Sequence, residues 1–144
     1  MQVHPMTHFV LDARTASPHF PGIGRYVSNL AQALAPQLRP DERLTILEDP
    51  NHRGLAISGV RRVQVRESPF SLAQQTQVPR LLRSLGADLY HSAYLLMPYR
   101  PGIPTVLTVY DLIPLLLPAQ SSRRASVLFR STMRLALAPR TASS

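Results

Sequence analysis

Short apolar runs ending in a polar residue alternate along this chain with longer stretches of helical periodicity, and that alternation restricts the fold more than any other feature. His8-Phe-Val-Leu-Asp12 reads as a first strand. Residues 13–21 are rich in turn formers and carry two prolines, so they predict a loop. From Ile23 the apolar positions fall at 23, 27, 30 and 34, with Tyr26 and Ala31 beside them and Arg25, Ser28, Asn29 and Gln32 opposite. That is helical spacing, ended by Pro36 and Pro40. Arg43–Glu48 and Arg61–Arg66 are the next strand candidates, and the second alternates Val63 and Val65 on one face, as an edge strand would. Ser71–Leu85 is helical but contains Pro79, which predicts a short helix, a break, and a new helix with Pro79 in its first turn. Ala87–His91 and Thr105–Val109 follow as strands. The second of these is β-branched and apolar on both faces, the pattern of a central strand covered on both sides. A last helix is predicted from Ser121 to Ala138, with Arg123, Arg130 and Arg134 on one side and Ala125, Leu128, Phe129, Leu135 and Ala136 on the other. Its simplest reading is a solvated face over a core face; contact with an anionic bilayer is the lesser one. Strands separated by helices predict an α/β fold with a parallel sheet and right-handed crossovers. Ligands of such sheets bind at the carboxyl ends of the strands, near the point where strand order reverses.

Composition narrows the classes of function. A chain of 144 residues points to one domain. Without cysteine it has neither disulfides nor thiolate metal sites, and a reducing cytoplasm is the simplest compartment. No apolar run approaches the ~20 residues that cross a bilayer, and the start, MQVHPMTHFV, does not read as a secretory signal. The net charge of +8 raises nucleic acid as a partner, but all 16 basic residues are Arg, which GC-rich coding explains as well. They are scattered, with no aromatic interleaving of the stacking type, so nucleic-acid binding is not expected. Beyond Asp111 the chain holds Arg123, Arg124, Arg130, Arg134 and Arg140 and no acid. That local excess suits a phosphate-rich partner, and peripheral contact with the anionic inner membrane face is the corresponding expectation.

The candidate chemistry sits just after strands: Asp12 with the 13–22 loop, His91 with the 92–103 loop, and Tyr110 with Asp111. Gly22-Ile-Gly24 opens the first helix, where free N–H groups and the helix dipole favour an anion, and Arg25 adds a cation able to take phosphate bidentately. With Val27 where a third glycine belongs, this is not the dinucleotide fingerprint, and a purely structural cap explains two glycines equally well. An isolated His such as His91 is more often structural than catalytic. Asp111 follows an apolar strand and is either a cap for the next turn or a ligand or catalytic group. The histidines at 4, 8, 19, 52 and 91 lack metal-ligand spacing, and there is no nucleophile elbow, phosphate loop or Asp-x-Asp pair.

Taken together, these segments resemble a known family. Gly22-Ile-Gly-Arg-Tyr26-Val-Ser-Asn-Leu-Ala-Gln-Ala-Leu34 is similar to the first-helix signature of the family 4 retaining glycosyltransferases, which have the GT-B fold. Asp12-Ala-Arg14 before it, Gln75 through Pro79 and Leu82, Ala87-Asp-Leu-Tyr-His-Ser92 and Pro104-Thr-Val-Leu-Thr-Val-Tyr-Asp-Leu-Ile-Pro114 follow the family's order and spacing. The resemblance implies a Rossmann-like sheet with helices on both faces, the N-terminal half of a GT-B enzyme that transfers a hexose from a nucleotide-sugar to a saccharide or lipid-linked acceptor, as in polysaccharide biosynthesis. Carried over, Gly22 and Gly24 would line the cleft near the donor phosphates with Arg25 close by. His91, Tyr110 and Asp111 would surround the reacting sugar and acceptor, with His91 and Asp111 as the catalytic candidates. Many members have His where Tyr110 stands. No metal or other cofactor is implied beyond the donor itself. In the family the last helix leads into a donor-binding domain, whereas here the sequence given ends at Ser144. The expectation is therefore a half that needs that second domain as partner for activity, or that self-associates through the ~600–1,500 Å² such an interface would cover. Two other readings are a non-catalytic Rossmann-like module binding a saccharide or an anion, and an unrelated flavodoxin-like regulator.

Overall fold

A computed structural model of the protein describes residues 6–52, 57–110, 127 and 130–135. The chain divides into two compact units, 1–108 and 109–144. The first contains β1 (Thr7–Asp12), α1 (Pro21–Leu34), β2 (Glu42–Glu48), β3 (Arg61–Gln64), α2 (Gln74–Leu85), β4 (Leu89–Ser92) and β5 (Thr105–Leu107). In the second, residues 127 and 130–135 are helical; Arg130 and Arg134 are exposed, and Leu135, expected on the core face, is also exposed. Asp111 and most of the predicted 121–138 helix lie outside the described residues.

The five strands form one sheet in the order β3-β2-β1-β4-β5. All the pairings are parallel, which makes this the α/β, Rossmann-like sheet that the alternation predicts. Strand order reverses between β1 and β4, where Leu11 stands beside His91 and Asp12 beside Ser92. Because side chains alternate along a strand, β1 serves two layers. Phe9, Leu11 and Ala13 pack with Leu44 and Ile46 of β2 and with Val27 and Ala31 of α1. His8, Val10 and Asp12 point to the opposite face, which α2 covers. Helices thus lie on both faces of the sheet.

Two elements depart from the sequence reading. Helix α2 runs through Pro79 without a break. A proline inside a helix forfeits a backbone hydrogen bond and costs about 3 kcal/mol. Val78, Pro79 and Leu82 are all buried, and each large apolar side chain contributes about 1.5–3 kcal/mol when it leaves water. Burial of that stripe outweighs the lost bond, so the helix continues to Gly86. There a φ of 61° supplies the left-handed cap that lets the N–H groups of Gly86 and Ala87 donate to the carbonyls of Arg83 and Leu82. Strand β5, expected to be central, is an edge strand among the described residues. Its composition reports a capacity for burial on both faces; its position is set by β1 already occupying the other side of β4.

The start of β1 is fixed by His8, which is fully buried. Its backbone N–H donates to Asp88 Oδ2 (2.7 Å), and its carbonyl accepts from the Asp88 N–H (2.9 Å). The ring's Nδ1 lies 2.9 Å from the Leu85 carbonyl, and its Nε2 2.8 Å from Thr45 Oγ1. A carbonyl only accepts, so Nδ1 carries the proton and the Thr45 hydroxyl donates to Nε2. Burial holds the His8 pKa below its ordinary value despite the opposing effect of the hydrogen bond that Nδ1–H donates to the Leu85 carbonyl. The unfolded chain then binds the extra proton first, below about pH 6.5, so this contribution to stability is present above that pH and lost as pH falls through the lower folded value. We expect the melting temperature to decline from about pH 7 to about pH 5, and H8Q, which cannot titrate there, to flatten that slope when unfolding is followed by circular dichroism.

Candidate functional site

The carboxyl ends of β1 and β4 lead into the loops 13–20 and 93–104, and a buried polar cluster ties β1, β4, Arg14, the 65–73 loop and the start of α2 together. Arg14 and Asp12 are 2% and 6% exposed. The guanidinium donates through Nε to Asp12 Oδ1 (2.9 Å) and through Nη2 to Oδ2 (2.6 Å), a bidentate pair. Nη1 donates to the Glu67 carbonyl (2.9 Å) and Nη2 also to Gln74 Oε1 (3.1 Å). Tyr90, fully buried on β4, donates its hydroxyl to Asp12 Oδ2. The Gln74 amide in turn donates to the Pro69 carbonyl. Burial alone would raise the Asp12 carboxyl; the charge and hydrogen bonds of Arg14, with the Tyr90 bond, bring it below the usual range. Burial and the neighbouring carboxylate push the Tyr90 phenol well up. Asp12, a candidate ligand group on sequence, is consumed by this cluster. It builds the floor of the site.

Helix α1 begins at Pro21, so Gly22 and Gly24 lie in its first turn. Phe20 makes no side-chain cap there. Neither glycine has a positive φ. A Cβ on Gly22 would meet open space, and one on Gly24 would come no closer than 3.7 Å to Ala16, an ordinary contact. The fold therefore makes no steric demand for either, although each weakens the helix by about 0.5–1 kcal/mol relative to Ala. Arg25, in the same turn, is exposed. What the glycines leave is open approach to N–H groups at a positive helix end.

On the α1 face of the sheet, His91 Nε2 lies 2.8 Å from Thr108 Oγ1, and the same hydroxyl lies 3.1 Å from the Tyr26 hydroxyl on α1. Thr108 thus joins the end of β4 to the first turns of α1. Burial lowers the His91 pKa from its ordinary value, so the ring is neutral at neutral pH and able to accept or donate a proton. His91 also lines a cavity of about 310 Å³ together with Phe9, Leu11, Leu34, Leu38 and Leu44. The volume is at the lower end of small-molecule sites, ~300–1,000 Å³.

The structure brings Gly22, Gly24, Arg25 and His91 to the α1 side of the switch point, and places the Asp12 cluster on the α2 side. Tyr110 is exposed and belongs to the second unit; Asp111 lies outside the described residues. Among the described residues no group of His, Cys, Asp and Glu could hold a metal ion. Thr108, Arg14 and Tyr90 lie in segments that carry the resemblance, but the sequence does not single them out as site residues. The only signal for the last two was their place at strand ends, since a buried ion pair two residues apart looks like an ordinary loop charge.

Removing one partner of a buried pair leaves the other charge uncompensated, at about 3–5 kcal/mol. D12A should lower stability by about that amount in urea titrations, and D12A/R14M should recover part of the loss. Acid should act similarly: with its folded pKa depressed, Asp12 contributes stability above about pH 4 that disappears as pH falls through the folded value.

No family model matches the chain, and no curated protein or solved structure is significantly similar to it.

Proposed function

We propose that this chain is the acceptor-side domain of a retaining, nucleotide-sugar-dependent glycosyltransferase of family 4, one half of a GT-B enzyme. One observation supports the reading above the rest. The Thr108 hydroxyl contacts both Tyr26 and His91. Each of these residues belongs to a different segment of the family resemblance, so three of its five segments meet at one hydroxyl. In this reading the first turn of α1, opened by Gly22 and Gly24 and charged by Arg25, receives donor phosphate oxygens. His91, held by Thr108 and kept neutral by burial, orients the acceptor hydroxyl near the reacting sugar. The family resemblance assigns Tyr110 and Asp111 to acceptor contacts, and a second Rossmann-like domain would hold the nucleotide-sugar.

The test supplies that second domain. Mixed or co-expressed with the donor-binding half of a family 4 enzyme, the protein should release nucleotide from a nucleotide-hexose when an acceptor is added. H91A should slow this about 100-fold, the scale of a misplaced reactant, with the fold intact. G22A should stabilise the helix by about 0.5–1 kcal/mol yet weaken donor-dependent turnover, because the added methyl crowds only the ligand's side. Absence of both turnover and association with any such half would overturn the proposal.

A further inference from the structure

Three loops at the carboxyl edge of the sheet each contribute one aromatic ring, and the rings meet. Phe20 comes from the loop before α1, Phe70 from the loop before α2, and Tyr94 from the loop after β4. Their centroids form a near-equilateral triangle, 6.0 Å from Phe20 to Phe70, 5.8 Å from Phe20 to Tyr94 and 6.0 Å from Phe70 to Tyr94. Phe20 and Phe70 are inclined by only 26°, so they present nearly parallel rings, with Tyr94 set at steeper angles to both. A cluster that served only to pin loops together would be buried. In this one Phe20 and Tyr94 are half-buried but Phe70 is 56% exposed, and Leu72, two residues further on, is 88% exposed. Clustered aromatic surface left in water at the carboxyl edge of a parallel sheet, the edge where ligands of such sheets bind, is a candidate binding feature.

The rings are too close together to admit a planar base between them, so a ligand must lie against the outer surface of the cluster. His19 precedes Phe20, and Ser68 and Ser71 bracket Pro69-Phe70; within the loop the Ser68 hydroxyl accepts from the Phe70 N–H and the Ser71 hydroxyl donates to the Ser68 carbonyl, which leaves the first its proton and the second its lone pairs for a ligand. A surface with a rigid apolar centre and a hydrogen-bonding margin matches a ligand with the same division. A pyranose ring has it, with an apolar C–H face and a rim of hydroxyls. We propose that Phe20, Phe70 and Tyr94 form a stacking platform for one sugar ring of a saccharide acceptor. This rests on the glycosyltransferase reading and sharpens it, since it selects a saccharide over an acceptor recognised only through a lipid tail.

The sequence contains no tryptophan, so F70W introduces a single fluorescent reporter at the platform while keeping an aromatic face. Maltose, cellobiose and melibiose serve as probes, with uridine monophosphate and phospholipid vesicles as competitors. At least one disaccharide should shift F70W emission and give saturation-transfer signals from its ring protons with the wild-type chain. F70A, an exposed site where folding is retained, should weaken that binding about three- to tenfold, the scale of one aromatic stacking contact. No shift from any disaccharide, equal binding by F70A, or a response only to the nucleotide or the vesicles would each overturn the platform. The outcome separates from that of the parent reading. Saccharide binding that depends on Phe70 without any transfer activity supports the platform and not the transferase. Transfer with an acceptor KM unchanged in F70A supports the transferase and not the platform.

Discussion

The bidentate pair between Asp12 and Arg14 is the interaction on which the carboxyl edge of this sheet depends. Both side chains are almost wholly buried, so each charge is tolerable only because the other, together with Tyr90, Gln74 and the Glu67 carbonyl, satisfies it. The pair is local in sequence, but its further partners lie on the loop before α2, on α2 itself and on β4. The guanidinium holds the loop and α2 while the carboxylate holds Tyr90 of β4, so one ion pair sets the relative placement of all three. A buried ion pair of this kind is a poor source of net stability and an effective source of geometric uniqueness, because any displaced arrangement strands a charge.

With that floor in place, the opposite side of the switch point is free to be open. The α1 face carries the short helix N-terminus without a side-chain cap, the exposed Arg25, and the His91–Thr108–Tyr26 chain. One side of the switch point is dry, charged and closed; the other holds the half-buried His91, Thr108 and Tyr26 beside the exposed Arg25. A half-buried neutral imidazole suits recognition of a hydroxyl, whereas the fully buried His8 has both ring nitrogens committed within the fold.

The fold was legible because periodicity reports burial, and burial is what strands and helices share between sequence and structure. The order of elements and the edge character of Arg61–Gln64 follow from it directly. Pro79 was misread because a local rule, the missing N–H, was weighed without the tertiary burial of Val78 and Leu82 that overrides it. The strand at Thr105–Leu107 was misplaced because composition records how apolar a strand is and not which neighbour it finds. In the site, Gly22, Gly24, Arg25 and His91 were visible as residues of unusual type at strand ends or a helix start. Thr108 was invisible, since its importance lies in two hydroxyl contacts across more than eighty residues and seventeen residues of chain, respectively.

The wiring of the floor also sets a timetable for synthesis. Asp12 and Arg14 leave the ribosome early, but Tyr90, which completes the carboxylate's shell, follows 78 residues after Asp12. Until β4 has emerged, the central strand β1 has only one of its two neighbours and an ion pair that water still solvates. Closing the switch point thus joins the first and nearly the last elements of the sheet in one late step, the slow, non-local kind of contact. The nascent chain must hold its apolar strands soluble until then, and a factor that binds extended apolar segments has its longest opportunity on β1 and β2.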